Sequence, residues 1–570
     1  MRKRKPKRRL RPMNDIKKRS LSLLKRWCDK LSEYEIKHAD KRIDASYLCP
    51  ACHVAHGRTG DLIYPYMTLY SATGEEKYLT LAERSVDFTE NSLTRPDGGY
   101  NNDRGNRWFG TTAFSALAIG ETLTEFGDII PKALYEKWEN IFLRLSDFCY
   151  RLFDSFNPVI NYRAGAAAIF AMAYNFTKDK KYLDRANEWE IYCRRHVDSE
   201  GLLFGETFPN DKITEKGCRG IDMGYNLEES VPLLIMHAYL LNDSEKLDFY
   251  KQIFTKHLEF LIPDGAIDNS FGTRHNKWTY FGSRTSDGIL SALAKLPAEP
   301  IFNKATDRVL SLYEHCSEYD LLALPKANEE DEPTFIHHTF SHAKALASLY
   351  NSDNESFEYS DETLLPREHG YGGKLFQSGS LALITKDGFT ATVNAVDIQN
   401  YTGAENFGGS LTLLWHKKYG AVCAATMHSY IPSEPLNMQY LVHSVKERCM
   451  TPRFIKEGYS SDTDKSVTLS SADSTVKISA EEFGIEYSVT DKGFLITVTG
   501  DGEYILPIIT GPKRKISLEG STFKSDNLTV TSTVHPTYDG ELCFNQVSGF
   551  IYSELKFEIK NKTDILISVN

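Results

Sequence analysis

The sequence of 570 residues predicts an α+β multidomain protein. Its expected parts are an N-terminal (α/α)6 toroid of six helical hairpins and a C-terminal antiparallel β-sandwich. Three observations carry this expectation. Apolar residues recur at helical spacing through the first part of the chain. A helix–turn–helix unit repeats there, and a repeat decides the architecture. After about residue 372 the period falls from 3.6 to 2. The expected divisions are a basic tail over 1–13, the toroid over 14–365 and the β-domain over 366–570.

Residues 1–12 (MRKRKPKRRLRP) hold eight Lys or Arg and form no periodic pattern. Residues 14–40 have apolar positions at helical spacing, with Asn14 or Asp15 available as N-cap. The repeat follows, at YSATGEEKYLTLAERSVDF from Tyr70, YNFTKDKKYLDRANEWEIY from Tyr174 and YLLNDSEKLDFYKQIFTKHLEF from Tyr239. In each, an apolar helix ending in Tyr meets a short polar turn and an amphipathic helix. A glycine turn closes each unit, at Gly98, Gly201 and Gly265. Further pairs are expected at about 111–155 and about 286–320, and a last helix near 338–350 completes a pair with the first. Six hairpins with the two ends pairing predict a closed ring. Beyond the Pro/Gly-marked seam at Leu364–Gly373, segments such as SLALITKDGFTATVNAV and GIEYSVTDKGFLITVTG alternate apolar and polar residues around turns.

With a net charge of −10 despite the basic start, the body is acidic, so no nucleic-acid partner is expected. No window approaches 18 apolar residues, so no membrane span is expected. The basic start lacks the apolar segment of a secretory signal, which predicts a cytoplasmic protein. The ten cysteines are scattered, as in a reducing compartment. Cys49, Cys52, His53 and His56 are zinc-type ligands, but no second CxxC accompanies them. No metal and no cofactor is therefore assigned. The large β-domain suits a homo-oligomer.

The loops leading into each inner helix carry the chemistry. His56, Arg58 and Asp61 precede the first, and Trp108 the second. Asn161 and Arg163 open the third. The stretch RGIDMGYNLEESVP (Arg219–Pro232) opens the fourth with Asp222, Tyr225, Glu228 and Glu229. Arg274, His275, Trp278, Tyr280 and Arg284 belong to the fifth, and His338 and His342 to the sixth. A ring brings these loops to one mouth. Arg163, Arg274 and Arg284 can grip a uronate carboxylate, with Trp108 or Trp278 as a stacking face. Glycoside hydrolysis needs two carboxyl groups in different roles, which Asp222 with Glu228 or Glu229 could supply, with Asp61, Asp103 or Asp287 opposite. At least one of those glutamates is expected only to serve its helix N-terminus. β-Elimination needs instead a base, an acid and groups that neutralise the carboxylate; Tyr280 with His338 or His342, plus Asn161 and Arg163, could supply these.

HGRTGDLIYPY, NYRAG, DMGYNLEES and WTYFGSRTSDG resemble signature positions of toroid carbohydrate-active enzymes. The domain order is similar to the β-glucuronidases of glycoside hydrolase family 154 and, more distantly, to heparinase II/III-like and alginate-lyase-like polysaccharide lyases. The β-domain lacks the His-rich strand segment of the heparinase-like lyases, since His416 and His428 stand alone. The resemblance therefore implies an exo-acting, cofactor-free β-glucuronidase acting on oligosaccharides or glucuronides. A β-eliminating lyase on uronate-containing glycans is the alternative, and a non-catalytic glycan-binding toroid the third reading.

Overall fold

The structure, a computed structural model, describes residues 15–156, 158–323, 334–398, 408–424, 446–447, 449–511, 514–545 and 550–570. The basic tail and His428 lie outside the described residues. Six helix pairs form the first domain. They are α2 (Ile63–Thr73) with α3 (Glu76–Leu93), α4 (Thr112–Phe126) with α5 (Lys132–Phe156), and α6 (Ile160–Thr177) with α7 (Lys180–Arg194). After the short α8 (Met223–Tyr225) come α9 (Val231–Leu241) with α10 (Ser244–His257) and α11 (Leu290–Leu293) with α12 (Pro300–His315). The sixth pair joins α13 (His337–Asn351) to α1 (Asp15–Ser32) from the other end of the domain.

The inner helices touch in the order α2, α4, α6, α9, α11, α13, and α13 touches α2 again. The ring is closed. Inner helices are buried on almost every side, as α6 is from Ile160 to Ala173, so their apolar residues run all round instead of forming a stripe. The fifth inner helix is a single turn, shorter than the sequence spacing predicts.

The sequence repeat has a definite backbone meaning. Each inner helix of the three units ends on a left-handed residue, Gly74, Lys178 or Asn242. Each of these residues returns its own N–H to the last turn, onto the carbonyl of Tyr70, Tyr174 or Ala238, which terminates the helix. The next helix then starts at once, with the Asp179 and Asp243 side chains accepting backbone N–H bonds from Lys181 and Lys246. After the outer helix the chain reverses at Gly98, Gly201 or Gly265, all at positive φ. Matching bridges follow, Thr94 with Tyr100, Val197 with Leu203 and Leu261 with Ile267. Each reversal sends the following loop towards the same mouth of the ring.

The C-terminal domain packs a five-stranded antiparallel sheet, from Gly372–Phe376 to Gly420–Ala424, against a twelve-stranded one. Alternate residues of both sheets share one core, which includes Ile384, Val393, Phe454, Tyr487 and Phe557. The larger sheet is built on the long pair Gly493–Ile509 and Phe550–Val569. Its only parallel pairing among the described residues joins Lys446–Glu447 to the strand at Cys543–Asn545. Arg367 bolts the domains together from a fully buried position. It donates to the Glu259 carbonyl (2.7 Å), the Asp268 carboxylate (2.7 Å) and Thr392 (2.9 Å). Among the described residues no helix is long and apolar enough to cross a membrane.

Candidate active site

The ring mouth holds a cavity of about 630 Å³, walled by five of the six loop sets. His56 and Arg58 come from the first loop, and Asn102, Asp103 and Trp108 from the second. Asn161 and Tyr162 stand on the first turn of α6. Tyr225 and Glu229 come from the fourth segment, and Arg274, Lys277, Arg284 and Thr285 from the fifth. Four cationic side chains thus face a space reached by two acids, Asp103 and Glu229. Such a cavity favours an anionic ligand.

Local geometry decides which acid reaches it. Asp222 accepts backbone N–H bonds from Tyr225 (3.0 Å) and Arg274 (2.7 Å) and two bonds from the Asn269 amide. It is the N-cap of α8 and ties the fourth segment to the fifth. Pro232, at the start of α9, has no N–H to give the carbonyl four residues back, and its ring crowds that position. The backbone widens there into a π-turn over Asn226–Ser230, with the Val231 N–H reaching the Asn226 carbonyl. Within this turn the neighbouring glutamates point to different places. Glu228 accepts from the Ser283 N–H (2.6 Å) and from the Ser286 hydroxyl, and lies 3.1 Å from His342 Nε2. Glu229 alone turns into the cavity, where its Oε2 accepts 2.8 Å from the Asn161 amide.

Burial, reinforced by the negative charge of Asp287, pushes the Glu229 carboxyl up to about 8, against the pull of Arg58. Asp287 goes the other way. Despite burial, Lys344 and Arg58 hold it below the usual carboxylate range. The Arg58 guanidinium also bonds Asp61 (2.7 Å) and lies 4.1 Å from the Phe114 ring centre. Glu229 thus sits between the Asn161 amide and the Arg58 guanidinium, 3.7 Å from its Oε1, with its carboxyl shifted towards the neutral form. His56 is also neutral, pushed well below the ordinary imidazole value by burial and then by His337, Arg284, Arg58 and Lys277. The Tyr225 hydroxyl lies 2.8 Å from Thr285 Oγ1 and accepts from the Lys277 ammonium at 3.4 Å, and the Arg274 guanidinium stands 4.7 Å from its ring centre. Arg274 also pairs with buried Glu206 at 3.2 Å. Trp108, 39% exposed, sits at the mouth and donates to Tyr162 (3.0 Å), leaving an accessible indole for a sugar face.

Several expected site residues lie elsewhere. Arg163 is sandwiched between the rings of Trp189 and Tyr192, at 4.4 and 4.0 Å, and bonds the Pro158 carbonyl. Trp278 is fully buried and donates to the Ile267 carbonyl (2.6 Å), so it offers no stacking face. Tyr280 bonds Asp264 (2.5 Å) and packs edge-on against Phe550 at the domain junction. His275 is buried on the Gly272 carbonyl, and His338 packs on Phe281 with neither ring nitrogen hydrogen-bonded among the described residues. His342 supports Glu228, and Asp61 supports Arg58. Neither glutamate caps a helix through its side chain; Asp222 does. Sequence reasoning passed over Lys277, although it lies in the fifth loop, and Glu206, whose neighbours give no signal.

The chain thus joins a closed helical toroid, with a cationic cavity at the ring mouth, to an antiparallel sandwich. The chain belongs to the ulvan lyase family. Residues 24–368 match the ulvan lyase N-terminal domain and residues 373–481 the ulvan lyase C-terminal domain. A broad-specificity ulvan lyase of Formosa agariphila is 33% identical over 482 residues, covering 81% of this chain and 74% of that protein. The fold is shared with the chondroitin AC lyase of Streptomyces coelicolor A3, at a TM-score of 0.55 and 10% identity over 98% of this chain and 80% of that one. These relationships overturn the expectation of a glycoside hydrolase of the β-glucuronidase type. The kinship is with polysaccharide lyases, which stood only as the alternative.

Proposed function

We propose that the protein is a β-eliminating lyase that cleaves uronate-containing polysaccharides of the ulvan kind. Family membership supports this reading, and one structural observation carries it: four cationic side chains and the Asn161 amide line the cavity, and of the Asp222, Glu228 and Glu229 set only Glu229 reaches it, its carboxyl pushed up by burial. A hydrolase needs an ionised carboxylate as partner to its acid. An eliminating enzyme needs the reverse, a neutral or positive cradle for the substrate's own carboxylate.

In this reading the uronate carboxylate sits against the Asn161 amide, the Glu229 carboxyl and a cation. Withdrawing its charge makes the C5 proton acidic. A base removes that proton, the C4–C5 double bond forms, and the C4–O bond breaks while an acid protonates the departing oxygen. No water is consumed. Tyr225 is assigned to proton transfer: it lines the cavity, and Lys277, 3.4 Å from its hydroxyl, is placed to neutralise charge developing on that oxygen. His56, held neutral, is the second group able to accept a proton. Trp108 provides the sugar platform at the mouth. The test is incubation with ulvan while following near-ultraviolet absorbance and reducing ends together. Both rise in step if elimination occurs; new ends without an unsaturated product would refute it.

A further inference from the structure

The ring carries a second cluster of reactive side chains beside the cavity, which the elimination does not use. Cys49 and Cys52 lie in CPAC, where the His53 N–H returns to the Cys49 carbonyl (2.9 Å) and the Cys49 N–H to the Val54 carbonyl (3.1 Å). His53, at φ 57, takes the left-handed conformation that closes this knuckle and leaves its own side chain exposed. The third member comes from the far end of the domain. His337, the first residue of α13, brings its Nε2 to 3.4 Å from Cys52 Sγ, 285 positions along the chain.

The two sulfurs and one His337 nitrogen all lie within 4.8 Å of one another. Around a tetrahedral zinc, with Zn–S about 2.3 Å and Zn–N about 2.0 Å, a sulfur and a nitrogen are separated by about 3.6 Å. The Cys52–His337 pair already has that spacing. Cys49 is fully buried and His337 is 1% exposed, so the cluster is shielded on most sides. Thiolate and imidazole together select a borderline-soft ion over calcium or magnesium.

We propose that Cys49, Cys52 and His337 form a zinc site that cross-links the first rim loop to the last inner helix. The sequence pattern pointed to His53 and His56 as companions of the cysteines; the fold supplies His337 instead. The His56 ring stands edge-on to the His337 ring, with centres 4.7 Å apart, between the cluster and the cavity. Among the described residues no fourth Cys, His or carboxylate joins this group, and water is the natural fourth ligand. The role is structural. The ring's first and last inner helices meet without a covalent hairpin, and the zinc supplies a tie there, fixing the loop that presents His56 and Arg58. The assignment is independent of the elimination reading.

The experiment is metal analysis of the full chain purified without chelator or affinity metal, together with Cys52→Ser and His337→Asn. The expected result is about one zinc per chain in the parent and less than about a tenth of that in each variant. Adding cobalt(II) to chelator-treated parent protein should give thiolate-to-cobalt charge-transfer absorption and strong visible bands of tetrahedral type, with recovery of the Tm lost on chelation. If the variants do not fold, the cobalt spectrum of the parent decides. A metal-free parent without a cobalt–thiolate band, a Cys49–Cys52 disulfide in that protein, or full zinc retained in folded variants would each overturn the site.

Discussion

Glu229→Gln separates elimination from hydrolysis most sharply. Burial, and then the charge of Asp287, pushes the Glu229 carboxyl up to about 8. If the protonated form receives the substrate carboxylate, kcat/KM is flat below about pH 8 and falls close to tenfold per pH unit above it. Glutamine is neutral at every pH and keeps an oxygen to accept from Asn161. The variant should retain activity within about tenfold at pH 7 and lose the alkaline limb. The same group bears on stability. Its folded value lies above the unfolded one, so its contribution is complete below about pH 4.5 and is lost as pH rises through about 8. The variant's Tm should decline less over that window. Initial rates of near-ultraviolet absorbance between about pH 6 and pH 10, with Tm in the same buffers, provide the assay. A variant inactive at all pH values, or one that keeps the parent's alkaline limb, would refute the reasoning.

Three further predictions follow from the same geometry. Tyr225→Phe should lower kcat by roughly 10²–10⁴-fold with little change in KM or Tm, measured by product absorbance and thermal melting; near-parental kcat would remove Tyr225 from proton transfer. Arg367→Ala leaves the Asp268 carboxylate buried and unpaired at the domain junction, and should cost about 3–5 kcal/mol in urea unfolding, read as a lower midpoint. Raising ionic strength from about 0.05 M to about 0.5 M shortens the screening length from about 14 Å to about 4 Å. The cationic cavity should then lose kcat/KM on polymeric substrate through slower association, while kcat at saturation holds.

The ring was legible because helix pairs leave local marks: the left-handed cap and the glycine reversal recur at matching places in three units, and an Asp N-cap adjoins in two of them. The likeness of α1 and α13 to a sixth pair was likewise visible, because both helices lacked a neighbour in sequence. Single side-chain directions were not. Arg163 follows Asn161 by two positions, and on a helix that step of about 200° carries it to the opposite side. Asn161 faces the cavity while Arg163 lies between two rings of α7. Trp278 and Tyr280 sit in a loop that folds inward, and whether such a loop exposes an aromatic ring depends on contacts distant in sequence, such as Phe550. His337 was hidden for the same reason: its partnership with Cys52 exists only once the ring closes.

The adjacent glutamates show why composition alone led to the wrong reaction class. In DMGYNLEES three acids stand within eight positions, and read linearly they suggest an acid and its carboxylate partner. Folding removes two of them. Asp222 is used up by four hydrogen bonds, two of them to backbone N–H groups, and Glu228 by loop and His342 contacts. The π-turn forced by Pro232 presents the third, Glu229, to a space lined by cations and an amide. There burial, reinforced by the charge of Asp287 that Lys344 and Arg58 hold in place, pushes the Glu229 carboxyl upward. The one carboxyl group of the three left facing the cavity is thus pushed towards its neutral form. That is the condition for receiving a carboxylate, and it runs against the ionised partner a hydrolase needs.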